Sequence, residues 1–263
     1  MDHDGQFTPA ERANDALDTD ASPASAVIIR FPIVRRPIPS ADAQPVAPRT
    51  ATTAELHTLR HVDNASLAAD LITLVLRATA DKTEFSGPTT LGALGAVAGF
   101  AAQQSLLLRG PTLWHQPMRA AHLDRMMVSD AATDMSLWHQ LKAATATHGT
   151  TQLPDPKKLL AVTQKCLGTN QFGVIILPPA HRLSEQPQTG LIRLWARVRD
   201  AFDAGRIPPE TWPVICSRAA AAAIAGDLTK VPVHVAVRII MQAALAMALV
   251  EPRQIPGAAV KCA

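Results

Sequence analysis

The chain has no tyrosine, and aromatic residues make up only 4% of it. So sparse a set leaves little for stacking against nucleobases, and nucleic acid is not an expected partner. Charged residues are also scarce, at 18% against roughly 25% in an average soluble protein. Many helix faces must therefore be covered and not wet. Cysteine occurs at three widely spaced positions, Cys166, Cys216 and Cys262, with no Cys-x-x-Cys pair. That spacing argues against a disulfide framework or a zinc knuckle and suits a reducing compartment.

Sequence signatures of common chemistry are missing as well. The glycines at 92, 95 and 99 match neither a dinucleotide fingerprint nor a phosphate-binding loop, and no nucleophile elbow, HExxH helix or EF-hand loop occurs. No catalytic residue, cofactor or metal is therefore expected. His57 and His61 share a helical face near Glu55 and Asp63, but a metal site needs a third well-placed ligand. Cys166, His181 and Asp155 form a nucleophile, base and orienter only on paper, since any chain of this length offers such a triple. An inert thiol is the default for Cys166.

What the chain does have is alanine, proline and a segregated charge. Residues 1–25 hold six acids against Arg12, a net of −5, while residues 26–263 hold 24 basic and 16 acidic groups, a net of +8. The cations are scattered, which describes a solvated surface better than an anion-binding patch. The acidic, polar start lacks the basic end and apolar stretch of a secretory signal, so the expected location is cytoplasmic.

Seven of the 21 prolines fall in residues 1–50, which have no sustained helical period and are expected to form a disordered, proline-rich arm. Within it, AVIIRFPIVRRPIP at 26–39 reads as an extended docking segment with Arg30, Phe31, Arg35 and Arg36 as its interaction residues. Whether it straps its own domain or engages another protein is left open by the residues.

Residues 51–263 read as one mostly helical domain. Asn64 or Ser66 is expected to cap a helix to about 80, with Leu67, Leu71, Leu74 and Val75 as its buried stripe. Thr89 or Thr90 caps the next helix, 90–109, which stops at Gly110-Pro111. DRMMVS (124–129) and FGVIILPP (172–179) are the strand candidates and would pair as one small β-ribbon. Thr133 or Asp134 opens a helix that ends near Gly149, and KKLLAVTQKCLG makes a short amphipathic helix closed by Gly168. In 188–205, Leu191, Leu194, Trp195, Val198, Ala201 and Phe202 face inward. Helices over 209–226 and 232–250 complete the expected mainly α fold of six to eight helices around the 90–109 helix.

No charged side chain occurs from Phe85 to Leu108. A helix there is about 30 Å long, which suits a bilayer and equally the diameter of a small domain. Gly95 and Gly99 make the GxxxG spacing of close helix crossings in membranes. Gln103, Gln104 and Ser105 interrupt the apolar run, however, and the amphipathic helices elsewhere need a partner to cover, so the reading is a buried central helix. In the last helix His234, Arg238 and Gln242 form one polar stripe, and an arginine at mid-span costs about 3 kcal/mol in a membrane.

The loop LPPAHRLSEQP (177–187) places a titratable imidazole, a cation and a carboxylate on an irregular segment. The ligand-binding set assigned to it and the following helix is His181, Arg182, Glu185, Arg193 and Trp195. The expected function is non-catalytic: an interaction or small-ligand-binding protein. The alternatives are a membrane-associated factor using helices 90–109 and 232–250, and an enzyme with its site at loop 177–187. Expected partners are another protein, a second copy of the chain through its alanine-rich helices, or a small molecule. A membrane is the less favoured partner.

Overall fold

The computed structural model describes residues 53–80, 86–110, 116–131, 133, 135–150, 152–226 and 228–259; the side chains of 53–63 and 116–118 fall outside that description. The chain divides into two units, Met1–Thr50 and Ala51–Ala263, and all described residues belong to the second. The arm, the docking segment with Arg30, Phe31, Arg35 and Arg36, and the side chains of His57 and His61 thus lie outside the described residues.

The domain is all α among the described residues. Its helices are α1 (Thr53–Thr79), α2 (Gly87–Leu108), α3 (Gln116–Met127), α4 (Leu137–Ala146), α5 (Pro156–Lys165), α6 (Pro187–Ala204), α7 (Trp212–Ala225) and α8 (Val233–Met247). Around α2 pack α1, α3, α6, α7 and α8. Its length and composition are those of a membrane-crossing helix, yet 89% of its most apolar window is buried inside the protein.

The α2 glycines explain how neighbours come so near. A Cβ on Gly95 would overlap the backbone of Ile240, and one on Gly99 the backbone carbonyl of Ala244, so α8 crosses α2 main chain to main chain. The polar end of α2 is buried too, and the amide N–H groups of Gln103 and Gln104 find partners, while Gln103 Oε1 has none among the described residues. Gln103 Nε2 donates to the carbonyls of Ala248 at 3.0 Å and Val250 at 2.8 Å, just past the C-terminus of α8, where helix carbonyls lack intrahelical partners. Gln104 accepts from the Ala259 N–H at 2.6 Å and donates back to its carbonyl at 3.2 Å, clipping the tail to the core.

Several boundaries differ from the sequence reading. Ser86, not Thr89 or Thr90, caps α2: its hydroxyl accepts from Thr89 N, and Pro88 occupies the first turn, where a missing N–H costs nothing. Asn64 and Ser66 lie inside α1, whose fully buried stripe is Ala68, Leu71, Ile72 and Val75, with Leu67 and Leu74 half-buried beside it. Ser136 caps α4 in place of Thr133 or Asp134. Ala201 of α6 is exposed, unlike the other five residues of its expected stripe.

Neither strand forms. DRMMVS is the end of α3, where Leu123 and Met127 are buried four residues apart and Val128 N still donates to the Asp124 carbonyl at 2.8 Å. In 172–177 the burial alternates as in a strand, Phe172, Ile175 and Leu177 being half-buried and Val174 and Ile176 exposed, but no partner strand lies beside it among the described residues. Backbone groups without a ladder make this an extended loop.

Candidate functional site

Loop 177–187 is stitched to the N-terminal end of α2. Thr89 Oγ1 lies 2.9 Å from Ser184 Oγ and accepts from the Ser184 N–H at 2.9 Å, and Leu183 sits over Gly92, where a Cβ would fall 2.8 Å from its Cδ2. Glu185 and Arg193 are brought together as an ion pair at 2.5 Å, which ties the loop to α6. His181 is half-buried in a short 3-10 turn, and Arg182 is exposed.

Trp195 is fully buried. It belongs to an aromatic stack that locks α6 onto α2 and α7: Phe100 meets it edge-on at 4.8 Å, Trp212 lies 6.1 Å away, and Phe202 stacks on Trp212 at 4.9 Å. Arg199 covers the Trp212 ring at 5.5 Å, and the Trp212 indole donates to the Ile207 carbonyl at 2.9 Å. The five residues of the expected set therefore separate into a structural pair, a core tryptophan and two residues of the loop, and they do not converge on one concave site.

The Cys166, His181 and Asp155 triple does not assemble. Asp155 caps α5 at one end, its carboxylate accepting from the N–H groups of Lys157 and Lys158, whereas Cys166 terminates the same helix. At 1.5 Å per residue the two stand about 16 Å apart. Cys216, on α7, is wholly buried, and burial pushes its thiol far above the ordinary cysteine pKa, leaving it inert.

A concavity lies elsewhere, between α3, α5 and α8, with a volume of 260 Å³. From α3 come Ala120, Leu123 and Met127, from the α5 side Leu160 and Leu167, and from the end of α8 Leu245, Ala248 and Leu249. Three polar side chains, Arg119, Asp124 and Gln164, complete the lining. Burial lowers the Arg119 pKa from its usual value while the Glu251 carboxylate acts to raise it, and the guanidinium stays a cation.

The α5 wall of this cleft is unusual. Not one residue of α5 is buried, and Val162 is 56% and Leu167 45% exposed. The helix is held by its half-buried leucines, Leu159 and Leu160, and by its caps: Asp155 at the start and the turn at Gly168, whose φ of +76° suits glycine. Sequence reading missed the cleft because its walls come from segments near 120, 160 and 245, far apart along the chain. Apolar residues at i, i+4 and i+8 on α3 (Arg119 stem, Leu123, Met127) were the available signal, and the strand assignment hid it.

No His, Cys, Asp and Glu grouping suited to a metal ion occurs among the described residues. The chain was compared with protein-family models, with curated proteins and with solved structures, and it matches none of them.

Proposed function

We propose that this domain is a non-catalytic binding module whose cleft between α3, α5 and α8 takes a small, mainly apolar ligand. The observation that carries the reading is the pairing of a half-open, mostly apolar cavity with a wall that has no buried residue of its own. Binding sites are mostly apolar concavities with a few polar groups to orient the ligand, and Arg119, Asp124 and Gln164 supply such groups here. A helix that buries little is displaced at low cost, so α5 is the wall that yields to admit the ligand.

The test uses two probes of equal length, hexanol and hexanoate, titrated while backbone amide shifts are followed by NMR. Shifts concentrated in α3, α5 and the end of α8 support the reading, and Ala120→Trp, which places a bulky ring at the exposed edge of the cleft, should abolish them. Shifts scattered over the surface, or identical in Ala120→Trp, contradict it.

A further inference from the structure

A separate cavity of 210 Å³ opens on another face of α3. Three of its lining groups are basic or titratable: Arg109 at the C-cap of α2, and His122 and Arg125 on α3. Among the described lining residues the one carboxylate is Glu210, ahead of α7. Among the described residues none of these four side chains has a hydrogen bond or an ion pair, although Arg and Glu elsewhere in the domain do pair, as Arg193 and Glu185 do. Among the described lining residues, two guanidiniums and an imidazole thus share the pocket with one carboxylate.

The rest of the lining is apolar. Leu106 is fully buried at the base, and Met126, Pro213 and Val214 form the walls. Met135 completes the lining and is held at φ +49°, a conformation a bulky side chain rarely adopts, with its sulfur 3.5 Å from Gln140 Nε2. Such backbone outliers gather at sites the surrounding structure holds in place.

We infer that this pocket binds a small organic phosphate monoester, the phosphate toward Arg109, Arg125 and His122 and a short apolar remainder against Met126, Pro213 and Val214. The three free oxygens and near-double charge of a phosphate monoester can engage two guanidinium forks and an imidazole N–H together, which a carboxylate of two oxygens and one charge does less fully. The small volume suits a compact ligand. The site is distinct from the α3, α5 and α8 cleft, so its failure leaves that reading untouched, and the reverse.

Isothermal titration of the full chain with propyl phosphate and with inorganic phosphate, at low salt, separates an organic phosphate from a free ion. Propyl phosphate should bind about tenfold more tightly than inorganic phosphate, and Arg109→Gln and Arg125→Gln should each weaken it by about tenfold, the loss of one charge-assisted contact. Glu210→Gln should tighten binding, a gain that misfolding cannot mimic. No heat with propyl phosphate, equal affinity for the two probes, or affinity unchanged in both arginine variants would overturn the proposal.

Discussion

The α2–α8 crossing, apolar and rich in glycine and alanine, and the α3–α5 side, rich in charged and polar residues, solve opposite problems. At the crossing, glycine and alanine let two backbones touch, and everything nearby is buried to 0–4%. On the other side, α3 is flanked by cavities and no residue of α5 is fully buried. Close packing leaves no space for a guest, while loose packing leaves space and little local stability. The difference divides the domain into a close-packed hub and a loosely packed side that leaves the room the proposed ligands need.

The sharpest way to break this contrast is at Gly99. Gly99→Leu drives a side chain into the Ala244 carbonyl, which cannot retreat as a flexible side chain would, and should destabilise by about 3 kcal/mol or more in urea unfolding. Gly95→Leu, against Ile240, should follow closely. If both keep the parent midpoint, the hub is not close-packed at α8. Next comes Gln103→Leu, which keeps the bulk but strands the carbonyls of Ala248 and Val250. Two buried acceptors without donors should cost about 2–3 kcal/mol, and a loss under half of that would mean water replaces the amide.

Leu160→Ala, in the cleft wall, should cost about 1 kcal/mol, since a half-buried leucine gives up only part of its burial energy. The smallest effect belongs to Val162→Ser on the exposed face of α5, which should stay within about 0.5 kcal/mol of the parent. A larger loss from Val162→Ser would mean that α5 is covered by something and is no free wall.

The hub was the most legible part of the chain. A helix apolar on every side, with glycines four apart and amides near its end, announces burial, close crossing and internal hydrogen bonds, and each appears where those residues stand. The exposed His234 and Arg238, with half-buried Gln242, likewise trace the expected polar stripe of α8. Helix starts were less legible, because Ser86 and Ser136 outcompete nearby threonines for reasons of local geometry: a proline in the first turn at Ser86, and at Ser136 a hydroxyl that bonds back to the Ser129 carbonyl. Residues 172–177 carry strand chemistry but gain no ladder, since the segment expected to pair with them is helical. The cavities were illegible, being made by what three distant segments fail to fill.

Native-state hydrogen exchange, followed amide by amide, tests the division of the domain most directly. Amides in the middle of α2 and α8 should exchange only on global unfolding, and those of α5 through local opening several kcal/mol lower, with hexanol raising the protection of α5 and of the globally exchanging amides by the same increment. Uniform protection across α2, α5 and α8 would contradict the account.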